Sequence, residues 1–241
     1  MDKSRIIFTG GSGLLGSEFR KILPEIEYPS SKDFNISDYN QIEQYTATNN
    51  CELIIHAAAF TSPPLVEKDP LKALNVNIVG TSNVVKLCMK FDIRLVYIST
   101  DYVFKGDKGN YTETDPVYPS NKYAWSKLGG ECAVRMHDKS LIIRTTFGPN
   151  VFPYEKAFID QWTSRESVSV IANMISKIIN KDITGTIHVG GKRKTVFEYA
   201  RGLDKLKNIG RMSTKDVSFP VPMDTSLNTD RYNQIIRQTN T

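Results

Sequence analysis

Thr9-Gly10-Gly11-Ser12-Gly13-Leu14-Leu15-Gly16 follows the apolar run Ile6-Ile7-Phe8 and leads into a helix-like segment, Leu15 to Leu23. A glycine cluster between a strand and a helix lets the backbone approach a pyrophosphate closely. Glycine removes the Cβ, and the free N–H groups at the positive helix end face the anion. Two frames fit, Gly11-x-Gly13-x-x-Gly16 and Gly10-x-x-Gly13-x-x-Gly16. The same glycines also suit a tightly packed turn that holds nothing; their place after the first strand favours the dinucleotide reading.

Outward from this turn, short apolar runs alternate with helix-length amphipathic segments: Arg5 to Phe8, Leu15 to Leu23, Glu52 to His56, Leu71 to Phe91, Arg94 to Ser99, Tyr123 to Met136 and Ser140 to Arg144. The rhythm predicts an α/β fold, with a Rossmann-type doubly wound parallel sheet over residues 1–147. A further strand is expected to end near Tyr28 to Lys32. Gly148-Pro149-Asn150 and Pro153 then punctuate the chain. Residues 148–241 are expected to form a small interleaved C-terminal substrate-binding lobe. It should hold helices over Ile171 to Ile179 and Val196 to Leu206, and a strand near 186–190 that returns to the main sheet. Pro220 and Pro222 precede a last polar segment.

The 241 residues carry 31 Lys+Arg against 26 Asp+Glu, a net charge of +5, scattered along the chain. That excess suits an anionic small ligand. Without a basic stripe or an aromatic platform it gives no support to a nucleic-acid partner. Leu53 to Phe60, the most apolar stretch, includes His56 and falls well short of the ~18 residues of a membrane helix. Ile6-Ile7-Phe8 is too short for a signal-peptide core, so the expected location is cytoplasmic. Cys51, Cys88 and Cys132 fit reduced thiols, and no Cys or His pair has ligand spacing, so no metal is expected.

Tyr123-Ala124-Trp125-Ser126-Lys127 places a phenol and an ammonium on one helix face, a turn apart. A cation beside a tyrosine favours its phenolate and eases proton exchange near neutral pH. A surface Tyr/Lys pair has the same spacing, so the motif needs a companion. Ser99-Thr100-Asp101-Tyr102-Val103-Phe104 supplies hydroxyls at the C-terminal end of a strand, the edge at which open α/β sheets bind ligands. Pro29-Ser30-Ser31-Lys32 offers hydroxyls and an ammonium where a ribose-binding carboxylate is otherwise expected. This leans the cofactor to NADP, with NAD as the alternative; a solvated turn reads equally well.

Together with His56-Ala57-Ala58-Ala59, Asn75-Val76-Asn77-Ile78-Val79-Gly80-Thr81 and the Gly130-Glu131 that follows Lys127, these motifs resemble the extended short-chain dehydrogenase/reductases. More narrowly they resemble the dTDP-4-dehydrorhamnose reductase family. The likeness is ordered and runs through Thr112-Glu113-Thr114-Asp115-Pro116, Pro119-Ser120-Asn121, Ile142-Ile143-Arg144-Thr145-Thr146-Phe147 and Pro222 to Arg231. It implies NAD(P)H-dependent reduction of a nucleotide-linked 4-keto sugar. Tyr123 would be the proton donor, Lys127 would lower its pKa and hold the nicotinamide ribose, and Thr100, with Ser99 nearby, would orient the carbonyl. By the same likeness Gly10, Gly11, Ser12, Gly13, Leu14 and Leu15 would contact the pyrophosphate, and Ser31 and Lys32 the ribose phosphate. Asn35 and Ile36 would lie by the adenine, Ala57, Ala58, Ala59 and Thr61 by the cofactor's ribose and phosphate, and Asp101 and Phe147 by the substrate. Asn77 would support Lys127 through a water or serve as a plain helix residue, and His56 reads as a structural histidine. The resemblance also admits a homodimer.

The chain departs from the family on the sugar-nucleotide side. Phe147 stands where the family usually has Trp, and Val221-Pro222 where it has Arg-Pro. The loop Asp-Gln-x-Gly-x-Pro-Thr is expected to be missing, with a strand passing directly into a helix between Val170 and Ile171 and Asp160-Gln161 only superficially like its start. The substrate lobe reads as shortened. Lys156, Arg165, Lys192, Arg193 and Lys194 remain as unassigned candidates for phosphate. A sugar-nucleotide epimerase or dehydratase, and a non-catalytic NAD(P)-binding regulatory subunit, are the alternatives.

Overall fold

Four buried residues in a row, Ile6–Thr9 (β1) and again Leu53–His56 (β2), are what a parallel strand covered on both faces requires. In the computed structural model, which describes residues 2–204, 206–217 and 221–238, they pair in parallel, Ile6 beside Leu53 and Thr9 beside His56. β2 pairs in parallel with Arg94–Thr100 (β3), Leu53 beside Arg94. Ser140–Thr145 (β4) and Gly185–Val189 (β5) complete a five-stranded sheet in the order β1-β2-β3-β4-β5. Instead of the further strand expected up to Tyr28–Lys32, Glu27 alone bridges Ile7, exchanging hydrogen bonds with Ile6 and Phe8 of 2.8 and 2.7 Å. Pro29 lacks the N–H that a longer ladder needs. Pro220 lies outside the described residues.

The described chain divides into two units. The first comprises residues up to Ser99, Asn121–Ile143 and Ile178–Thr186. In it Leu14–Ile22 (α1) buries Leu15, Gly16 and Phe19, with the Phe19 ring 4.9 Å from that of Phe8. Tyr39–Thr48 (α2) starts at Asp38, whose carboxylate caps the Gln41 N–H. The single helix expected over Leu71 to Phe91 is a composite. Pro70–Ala73 leads into a π-wound stretch, Leu74–Gly80, and then into Thr81–Phe91 (α3). Within the π-wound turn Asn77 is buried, and its amide is spent as a clamp. It accepts the Phe60 N–H at 2.7 Å, donates to the Phe60 carbonyl at 3.0 Å and donates to Ser126 Oγ at 2.8 Å. Lys122–Val134 (α4) is capped by Asn121, and a Cβ on its Gly130 would fall 2.4 Å from the Tyr97 hydroxyl, so glycine sets how closely helix and sheet approach.

The second unit comprises Thr100–Ser120, Arg144–Lys177 and the chain from Ile187. Its core joins Phe152, Ala157, Val196, Tyr199, Ala200 and Ile209. Val168–Ser176 (α5) is capped by Ser167, and Val196–Leu203 (α6) by a reciprocal Thr195–Glu198 box. The last polar segment forms a helix, Asp230–Arg237 (α7), which buries Tyr232. Short strands pair segments far apart in sequence, Lys156–Phe158 with Gly210–Met212 and Trp162–Thr163 with Lys194–Thr195. A single cut between 147 and 148 therefore describes neither unit: composition marks where the short elements begin, whereas long-range pairing decides membership. The strand-to-helix passage expected between Val170 and Ile171 is absent, because both residues lie inside α5. A loop containing Asp160 and Gln161 precedes it, and the Asp160 carboxylate accepts from Ser213 Oγ and the Thr214 N–H.

Replacing Asn77 by Ala leaves the half-buried Phe60 N–H and carbonyl without the amide that pairs them. Urea unfolding should register a loss of about 2–3 kcal/mol with an unchanged m-value.

Candidate active site

Gly10 has φ +79°, and a Cβ there would meet the Ala58 backbone nitrogen at 2.8 Å. The turn is pulled onto the end of β2, where Ala57 and Ala58 donate to the Thr9 carbonyl and hydroxyl at 3.3 and 3.2 Å. Gly13 donates to the Gly10 carbonyl at 2.9 Å and caps α1 without a side-chain hydrogen bond, whereas α2, α4, α5 and α6 each start on a capping side chain. Ser12, Gly13 and Leu14 are exposed, Gly11 is buried, and the Leu15 side chain belongs to the core. A helix N-terminus with exposed, uncapped backbone donors fits a diphosphate. Arg20 closes the turn from the other side, its Nε 3.3 Å from the Gly11 carbonyl and its guanidinium 4.3 Å from the Tyr28 ring centre.

Ser31 and Lys32 are exposed in a turn organised by Ser30, whose hydroxyl donates to Asp33 at 2.6 Å and accepts the Lys32 N–H. The turn presents one ammonium and one carboxylate. Glu27, the other acid nearby, accepts from the Tyr45 hydroxyl. Asn35 is fastened through its N–H to Gln41 at 2.7 Å, and Ile36 is buried with its carbonyl accepting from Asn83 at 2.9 Å. Ala57, Ala58 and Ala59 are half-buried, and Thr61 is exposed.

Tyr123 is half-buried on the first turn of α4, and Lys127 on the next turn is only 3% exposed. The Lys127 Nζ lies 4.1 Å from the centre of the Tyr97 ring. Burial pushes its pKa down to about 7 against the opposing charge of Glu131. Glu131, fully buried, accepts from Ser99 Oγ at 2.6 Å. His56 is held by two hydroxyls, Thr9 at 2.8 Å and Thr81 at 3.1 Å. Burial, helped by the Lys127 charge, drives its pKa down to about 3, so it is a neutral structural residue.

In the second unit, Thr100 Oγ1 donates to Asp101 at 3.2 Å and accepts the Tyr102 N–H. Asp101 is buried and accepts from Thr225 at 2.7 Å; burial raises its pKa, against Thr225 and the Arg165 charge. Phe147 is half-buried in a two-residue strand beside Glu166. Two of the phosphate candidates are already paired, Lys194 with Glu166, and Arg193 with Asp224 at 2.8 Å while it stacks 3.7 Å above Trp162.

A family model described as the RmlD substrate binding domain matches residues 4–226. The chain belongs to this family. Among its relatives, a dTDP-4-dehydrorhamnose reductase of Aggregatibacter actinomycetemcomitans is 30% identical over 181 residues, 71% of this chain and 62% of that protein, so the match spans under two thirds of that relative's length. Methionine adenosyltransferase 2 subunit beta of Pongo abelii is 26% identical, over 81% of this chain and 70% of that protein. The crystal structure of a Bacillus anthracis dTDP-4-dehydrorhamnose reductase in complex with NADP superposes with a TM-score of 0.87 at 29% identity. It covers 96% of this chain and 92% of that one.

Within this RmlD-family chain, reading the sequence missed Arg20 on the glycine turn and Thr9 on both His56 and Ala58. It quoted Glu131 as part of a motif without giving it a role. Thr9 and Glu131 meet His56, Ala58 and Ser99 from segments more than thirty residues away, and the Arg20 contacts depend on how the turn folds back. Among the described residues no group of His, Cys, Asp and Glu could hold a metal, and no helix is long and apolar enough to cross a membrane.

His56 and His188, the latter pushed down to about 4 chiefly by burial, stay neutral in the fold while the unfolded chain binds protons below about pH 6.5. Stability should therefore be full above pH 6.5 and fall on acidification from there toward pH 4, by up to ~1.4 kcal/mol per pH unit for each histidine. Urea midpoints at pH 7 and 5 measure this, and His56→Gln should flatten the slope.

Proposed function

We propose that the chain is a cytoplasmic NAD(P)H-dependent reductase of a nucleotide-linked 4-keto sugar, with NADP as cofactor and NAD as the alternative. The observation that carries the reading is a lysine ammonium buried one turn from Tyr123, on a chain of the RmlD family with an uncapped glycine turn. The nicotinamide supplies a hydride to the ketone carbon when bound. Tyr123 gives its phenolic proton to the developing alkoxide, and Lys127 lowers the cost of the phenolate and holds the ribose. Thr100 donates to the carbonyl oxygen, and Asp101 and Phe147 shape the substrate side. Gly10, Gly11, Ser12, Gly13, Leu14 and Leu15 hold the diphosphate through backbone groups. Ser31 and Lys32 hold the 2′-phosphate, Asn35 and Ile36 the adenine, and Ala57, Ala58, Ala59 and Thr61 the cofactor's ribose and phosphate. The second unit, with the segment 100–120 added to the C-terminal lobe, is the substrate-binding unit, and the chain works as a homodimer.

A second reading has its own support in the likeness to methionine adenosyltransferase 2 subunit beta: a cofactor-binding subunit without turnover.

The test is loss of NADPH absorbance, and separately of NADH absorbance, on adding a dTDP-4-keto-6-deoxy sugar. Tyr123→Phe should lower kcat by ~10²–10⁴-fold with cofactor affinity retained. Tight cofactor binding with no consumption of either cofactor would replace the reductase by the subunit reading. Gly10→Ala should cost about 1–3 kcal/mol of stability through its positive φ and weaken cofactor binding at least ~10-fold, as read by fluorescence titration.

A further inference from the structure

Lys127 is an ammonium in a setting that opposes its charge. It is 3% exposed and lies on the face of Tyr97, and the neighbouring His56 is neutral. A ring face 4.1 Å away compensates only part of the lost hydration. The remaining compensation comes from its own helix. Glu131 is four residues on, on the same face of α4, and fully buried. Ser99, the residue before the last of β3, donates its hydroxyl to that carboxylate at 2.6 Å and so fixes where it lies. Tyr97 completes the cluster, its hydroxyl donating to the Lys127 carbonyl at 3.2 Å and fixing that turn of the helix against β3.

We propose that Glu131, held in place by Ser99, is the positioning residue that keeps the Lys127 ammonium charged inside the protein. The proposal rests on the reductase reading only for its consequence in turnover. Around Lys127 lie the Tyr97 ring on β3, the imidazole of His56 on β2 and the carboxylate of Glu131 on α4, with Tyr123 one turn earlier on α4; Glu131 is the acid among them. Without it the lysine loses its proton at lower pH. Tyr123 then has no cation beside it, and reduction should fall away earlier as pH rises.

The test uses the full chain with 13C-labelled lysine, free of cofactor, and follows the Lys127 side-chain resonance from pH 5 to 10, with Lys127→Met to assign it. Titration is expected near pH 7 in the unchanged protein and at least about one unit lower in Glu131→Gln. Ser99→Ala should shift it the same way by less, and Glu131→Asp should restore part of the loss. Where Glu131→Gln does not fold, Ser99→Ala carries the same measurement. In turnover, the high-pH limb of kcat should move down with the resonance while KM for the sugar nucleotide changes little. A Lys127 titration that is the same in Glu131→Gln and Ser99→Ala as in the unchanged protein overturns the proposal. Because the resonance is read without cofactor or substrate, absence of reductase activity would count against the reductase reading and leave this result standing.

Discussion

In a sheet buried on both faces an unpaired polar group is costly, and the polar side chains beside the glycine turn and α4 meet that cost with partners. Thr9 pairs with His56, His56 with Thr81, and Ser99 with Glu131. Removing one partner would leave the others with a desolvation cost that the surrounding Ile, Leu and Val side chains cannot offset. The same low polarity is what moves Lys127 to about pH 7 and His56 to about 3. One constraint therefore produces both a neutral histidine and a lysine with its pKa pushed down to about 7.

The glycine turn joins this interior to the surface. Gly10 lets the chain pass against Ala57 and Ala58, and the turn then delivers α1 with its first donors exposed and uncapped. A capping serine or aspartate would add local stability and would occupy the place of an anion. Also in the first unit, the π-wound stretch and its buried Asn77 clamp the segment at Phe60 and tie it to Ser126 on α4. Asn77 thus acts through Ser126 and the backbone, and the Lys127 side chain is governed from the carboxylate side.

Much of this is legible in the sequence. The apolar runs at Ile6 to Phe8 and Glu52 to His56, the glycines after them and the Tyr123/Lys127 spacing depend on local periodicity and on the absence of side chains. The sequence displays both directly. The second unit was read less well, because its strands are two or three residues long and pair across dozens of residues. The helix in the last polar segment was missed since its few buried positions leave a weak apolar pattern. Among site residues, Arg20 carries no motif and Thr9 was read only as the start of the glycine turn, and the strand-to-helix passage expected at Val170 lies inside a helix because Ser167 caps it earlier than the apolar pattern alone suggests.

The sequence by itself determined the order of the sheet-forming runs, the glycine turn and the presence of a phenol and an ammonium one turn apart, because these follow from periodicity and from residue types at fixed spacing. Only the tertiary structure decided that Lys127 is buried, that Glu131 and Ser99 face one another and that Asn77 is a clamp. Those outcomes depend on which surfaces are removed from water and on partners brought together from remote segments.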